Sequence, residues 1–316
     1  MVEQRRGTTC EASHRVHACA TDAAGNVLWQ VGSDLLTTFR SAAKPFQLEV
    51  TLGLIDPELA TAVLPSDLAL GSASHHGEAF HVAELEQLLL KLGRERSHLY
   101  CGAHEPTAPA AARALYARGE EPDVLHNNCA GKHTFMAAAC AAHGYVSDYR
   151  APTHPLQRAI LQNLTQRVGG APATVTDGCG VPCFVLPLSR MAQSYAQLAL
   201  ETSQGTASRL GRIGAALLAH PLLMSGSHAF DGWLIARAGV IAKIGAQGLL
   251  SVAIPQLAVG VAIKIESGVD QVRPLAAHAL LTHFFPHIFS DALAPEYWEL
   301  RNVVGLRVGE LVSVRP

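Results

Sequence analysis

Ser41 and Lys44 stand three residues apart in the segment TTFRSAAKPFQLEV. Residues at that spacing share a helix face, so the lysine amine can reach the serine hydroxyl. A serine hydroxyl is a weak nucleophile until a neighbouring base takes its proton. A lysine can be that base only where burial or nearby positive charge has lowered its pKa. The run before the pair, Val31 to Phe39, is polar and turn-rich, whereas the run after it carries Phe46, Leu48, Val50, Leu52 and Leu54. The pair therefore belongs at the N-terminal end of a helix, where unpaired N–H groups and the macrodipole stabilise an alkoxide and depress the lysine pKa. Pro45 is tolerated there because the first turn has no use for its missing N–H. Arg40 adds positive charge beside the pair.

Further segments offer chemistry. His126-Asn-Asn-Cys-Ala-Gly-Lys-His133 places Cys129 and Lys132 one turn apart at a helix start, and Asp177-Gly-Cys-Gly-Val-Pro182 is a glycine-rich loop presenting Asp177 and Cys179. Two thiolates, a further donor and a water would make an open tetrahedral zinc site, although a lysine must lose a proton to join it. Without a CxxC pair, two buried structural thiols are the other reading. Ser72-Ala-Ser-His-His-Gly-Glu78 puts Ser74 on a turn, either as a second nucleophile or as a cap for the helix starting near Ala79. His75 and His133 are the histidines flanking these signals. Lys243-Ile-Gly-Ala-Gln-Gly248 ends a strand and resembles the KTG element lining the cleft of penicillin-recognising enzymes. Lys264, in GVAIKIESG, is a second lysine inside an apolar strand.

The elements that must position these groups fall into a pattern. His14 to Thr21 and Val27 to Val31 read as an opening hairpin around AAGN, and Gly232 to Ile244, Leu249 to Ile254 and Leu257 to Glu266 as a distant block of strands. Between them, Ala79 to Leu92, Pro109 to Ala117, Lys132 to His143, Pro155 to Val168, Leu186 to Ala199 and Ala207 to Ala219 carry helical periodicity, and Ala276 to Phe289 adds a last helix. The hairpin and the late strands should share one antiparallel sheet, with a cleft at its junction with the helices. We therefore expect an α+β fold as one unit over residues 1–316, its sheet part at 1–40 and 225–316 and its helical part at 41–224.

Composition narrows the function. A chain of 316 residues with 49% hydrophobic and 16% charged residues can bury a large core. With 24 basic and 26 acidic residues it lacks the basic footprint of a nucleic-acid binder. No leader-like apolar run opens the sequence, and Pro255 and Lys264 interrupt the most hydrophobic stretch, so a cytoplasmic protein without membrane partners is expected. Seven cysteines scattered without a secretory signal argue for thiols rather than a disulfide framework.

Taken together, RSAAKPFQ, SASHHGE, HNNCAGKH and DGCGVP, in this order and spacing, resemble the asparaginase II family, the L-asparaginases of inducible rhizobial type. The similarity spans nearly the whole chain. It implies a fold similar to serine β-lactamases and glutaminases, and hydrolysis of L-asparagine to L-aspartate and ammonia by a homodimer. Carried across by position, it implies Ser41 and Lys44 as one catalytic dyad, Ser74 as the second serine and Lys243 as the second lysine, with Lys264 the competitor. It implies Cys129, Lys132 and Cys179 as zinc ligands with Asp177 held close to them; Arg40, His75, Asn128 and Asp177 are the expected substrate-binding residues. A zinc-bound water as nucleophile, or a penicillin-binding module forming a stable acyl adduct, are the rival readings. Phe135 departs from the family's glycine, and its bulk must either narrow the pocket or change helix packing.

Overall fold

Strands Val16–Asp22 and Val259–Ile265, from opposite ends of the chain, pair antiparallel with Cys19 opposite Ala262. They are the middle of a five-stranded antiparallel sheet in the order Val27–Val31, Val16–Asp22, Val259–Ile265, Leu249–Ile254, Ile241–Gly245. The computed structural model describes residues 1–314. The three central strands are almost wholly buried, which explains why they read as continuous apolar runs rather than as alternation. Helix Leu188–Ser203 lies along the strand Val259–Ile265. Gly260 permits that approach, because a Cβ there would stand 1.9 Å from Ala192 O. Helix Arg273–Phe284 packs on the same sheet, and its Phe284 stacks on Trp29 at 4.0 Å between ring centres.

The α+β architecture expected from the sequence is present: a sheet built from both ends of the chain, covered by a largely helical middle. The middle also contains strands. Ala173–Thr176 and Pro182–Pro187 form a small antiparallel sheet with Leu36–Thr38. A further sheet, in the order Glu299–Arg301, Arg307–Ser313, Val2–Arg6, Thr9–His14, joins the two ends of the chain. One expectation is corrected: residues 232–238, read as strand, belong to the helix Phe230–Ala238, and the strand begins only at Ile241. The run GWLIARAG is apolar enough for either state, and Gly239 at φ 61° closes the helix in the left-handed conformation that glycine tolerates.

No helix is long and apolar enough to cross a membrane among the described residues.

Candidate active site

The Ser-Ala-Ala-Lys segment forms a 3-10 turn, Arg40–Ala43, that runs into helix Lys44–Leu54 with Pro45 in its first turn. Two contacts pin the turn. The Phe39 N–H donates to Phe184 O at 2.8 Å, and the Tyr195 hydroxyl donates to Ala42 O at 2.8 Å. Arg40 adopts φ 47°, a left-handed conformation rare outside glycine, which turns the chain sharply at the mouth of this helix.

Lys44 is fully buried. Its Nζ lies 2.6 Å from Ala73 O, 2.9 Å from Asn128 O and 2.9 Å from Ser74 Oγ. The amine thus bonds Ser74, from the SASHHGE segment, and makes no hydrogen bond to Ser41. The expected Ser41–Lys44 contact is corrected on this point: the three bonds to Ala73 O, Asn128 O and Ser74 Oγ take up the amine and turn it inward, away from Ser41. Ser41 is half-buried and its hydroxyl has no hydrogen-bond partner among the described residues. Lys243, also fully buried, places its Nζ 2.7 Å from the same Ser74 oxygen. Lys264 instead bonds the carbonyls of Gln247 and Ile265, which separates the two candidate lysines.

Ser74 is therefore held between two amines. A hydroxyl has one proton, so it donates to one amine and accepts from the other. Lys44 faces two carbonyls as well, and three acceptors match an ammonium. Lys243 has one longer carbonyl contact, to Ile244 O at 3.3 Å, and so is the amine better placed to accept the hydroxyl proton. Burial brings its pKa down to about 7, opposed by Asp231 and assisted by Lys44. Burial also lowers Lys44. Nor does either serine of SASHHGE cap the next helix: Glu78 precedes helix Ala79–Lys91, and Ser72 ends helix Pro65–Gly71. The Ser74 N–H donates to Met224 O at 3.0 Å, which fixes the serine backbone.

The second group of residues converges nearby. Cys129 and Cys179 are both buried and act on each other's ionisation, the Cys129 thiol held well below its usual range and Cys179 pushed up. Burial alone would lower Lys132, but the Cys179 and Cys129 sulfurs and Asp177 outweigh it and raise the amine. The Asn128 side-chain oxygen lies 3.2 Å from Cys129 Sγ. Asn127, unnoticed in the sequence, braces the turn: its amide donates to Cys101 O and Gly102 O at 3.0 Å and its Oδ1 accepts the Cys129 N–H at 2.8 Å. Arg40 Nε donates to Asp177 Oδ1 at 2.7 Å. Burial works against ionisation of Asp177, yet Lys132, the Gly178 N–H and Arg40 hold its carboxyl below the usual range.

All four sequence motifs thus meet at one place, and the family model of L-asparaginase II matches residues 2–312. The chain belongs to the L-asparaginase II family. No curated protein matches the chain. Among solved structures, Mglu in its native form is similar at a TM-score of 0.48 and 16% identity, over 89% of this chain and 62% of Mglu. Mglu in its L-glutamate binding form gives 0.47 and 15%, over 89% of this chain and 63% of that one. The chain spans less than two thirds of the length of these structures.

In this L-asparaginase II family member the donor chemistry fits zinc: two converging thiols, one already poised to lose its proton, beside a lysine amine. No group of three or more His, Cys, Asp or Glu side chains that could hold a metal exists among the described residues, so zinc held by Cys129 and Cys179 would require the Lys132 amine, which its neighbours favour as the ammonium, to give up its proton. The two expected histidines lie close enough to feel the Lys44 charge but make no hydrogen bond to the lysines or Ser74. His75 is fully buried, its Nδ1 accepting the Gly77 N–H at 3.2 Å and its Nε2 without a partner. His133 Nδ1 lies 2.9 Å from the Tyr149 hydroxyl. Phe135 is fully buried over Gly71, where a Cβ would meet its ring at 2.6 Å, so its bulk is absorbed in helix packing.

Proposed function

We propose that this protein hydrolyses the side-chain amide of L-asparagine to L-aspartate and ammonia through a serine acyl-enzyme. The observation that carries the reading is the Ser74 hydroxyl held between Lys243 and Lys44, at 2.7 Å and 2.9 Å. As Ser74 Oγ attacks the amide carbon, its proton passes to the Lys243 amine. The resulting lysine ammonium then protonates the departing nitrogen, which leaves as ammonia. Water enters with Lys243 again as base and splits the ester. Lys44, kept as an ammonium by two carbonyls, holds the Ser74 oxygen and stabilises its negative charge during attack.

Arg40 and Asp177 are the natural partners for the two charged ends of the amino acid, one cation and one anion side by side. Cys129, Lys132 and Cys179 would hold zinc, whose chemistry there would be Lewis-acid polarisation and anchoring of substrate. Every step above is carried by the lysines and the serine.

A second assignment of the attacking atom rests on one observation: Ser41 is half-exposed at a helix start, whereas Ser74 is 6% exposed. In that version Ser41 attacks, and Lys44, Ser74 and Lys243 carry its proton inward. The test is ammonia release by Ser74→Ala and Ser41→Ala, with the acyl-enzyme trapped by acid quench and the modified peptide identified by mass spectrometry. Label on either serine supports the reading and assigns the attack. Wild-type turnover in both variants would end it.

A further inference from the structure

Asp231 is fully buried and has no lysine, arginine or histidine within ion-pair distance among the described residues. A carboxylate in that position is costly unless hydrogen bonds and a nearby cation support it. Its Oδ2 accepts the N–H of Ile244 at 3.2 Å, the residue that follows Lys243, and its Oδ1 accepts the Gly232 N–H at 3.1 Å. The same short stretch of chain carries Met224, whose carbonyl accepts the Ser74 N–H at 3.0 Å. Tight packing joins the two points, since a Cβ on Gly232 would stand 2.8 Å from Ser225 Oγ. Residues 224–232 therefore register Ser74 at one end and Lys243 at the other.

We propose that Asp231 is a positioning residue for the amide hydrolysis: it fixes strand Ile241–Gly245 so that the Lys243 amine lies on Ser74, and supplies the negative charge that balances the ammonium formed there. The inference rests on the serine–lysine reading above. The groups facing Lys243 are Asp231, Lys44, Cys129, Arg273, His76 and Ser74. Asp231 is the strongest influence favouring the charged lysine, against burial, Lys44 and Arg273. Removing its charge makes the neutral amine available at lower pH and leaves the ammonium formed during turnover less supported.

The experiment is the pH profile of kcat/KM for wild type, Asp231→Asn and Asp231→Glu, with Ser74→Ala and Ser41→Ala beside them. Asp231→Asn should move the acid limb down by about one pH unit, the usual effect of a charge at this range, and reduce kcat at the plateau. Asp231→Glu, with the charge on a longer arm, should keep the limb where wild type has it while lowering kcat. An unmoved limb in a folded Asn variant overturns the inference, and so does a Glu variant whose limb falls by a unit, which decides the matter should the Asn variant not fold. Full turnover in both serine variants defeats the serine–lysine reading instead, so the two failures are distinct.

Discussion

Arg40 reaches Asp177 through Nε alone, 2.7 Å from Oδ1, and its two terminal nitrogens have no hydrogen-bond partner among the described residues. The pair is a held carboxylate with an open guanidinium face. A fork of that kind binds a carboxylate in two bonds, which a lysine cannot copy. Arg40→Gln should raise KM for L-asparagine by about 10- to 100-fold, the loss of one charge-assisted contact, with a smaller change in kcat. Arg40→Lys should recover little of it. Steady-state ammonia release checks both, and an unchanged KM in Arg40→Gln removes this residue from substrate binding.

Lys243 sets a pH dependence of two kinds. Its amine must be neutral to accept a proton, so activity should rise through pH about 7. Stability follows from linkage. The lysine titrates at about 7 in the folded protein against 10.5 when free in the unfolded chain, so between those limits the unfolded chain binds more protons. Its contribution to stability is therefore complete above the unfolded pKa, declines as pH falls from there, and is lowest and constant below about 7. Thermal melts from pH 6 to 10 should show that slope in wild type and a flatter one in Lys243→Met.

Gly131 sits inside HNNCAGKH, and a Cβ there would lie 2.0 Å from the carbonyl oxygen of Leu70. Backbone cannot swing aside as a side-chain tip can. Gly131→Ala should cost about 1–3 kcal/mol or more in stability and reduce turnover, because Lys132 and Cys129 ride on the displaced helix. Chemical denaturation and ammonia release on the same sample measure the two effects, and a neutral substitution would contradict the close helix approach.

If Cys129, Lys132 and Cys179 hold zinc, elemental analysis of the purified protein should find one equivalent per chain. Cys129→Ser and Cys179→Ser should each lose it. Retention of full metal in both variants would place the ion elsewhere.

Much of this site was legible in the sequence, and the gaps have physical causes. Cys129 with Lys132, and Asp177 with Cys179, stood out because unusual residue types sat in tight local spacing. The partner of Lys44 did not, since the choice between Ser41 and Ser74 is made by the carbonyls of Ala73 and Asn128, and backbone acceptors carry no sequence signature. Lys243 and Lys264 look alike in sequence, both being lysines in apolar strands; one bonds Ser74 and the other bonds local carbonyls. Asp231 gave no sign at all. In the fold, helices with strong periodicity such as Pro109–Ala117 and Pro155–Val168 matched the sequence pattern, while Phe230–Ala238 did not, because an apolar run of that length suits either state.

Ser74 and Lys243 lie 169 positions apart along the chain, and the central strand beside Lys243's sheet partner comes later still. A ribosome emitting this polypeptide completes most of the helices and both sulfur-bearing loops before the second lysine emerges. Until then the serine lacks its proton acceptor, so nascent and truncated products should be chemically silent. Long-range closure of this sort also slows assembly.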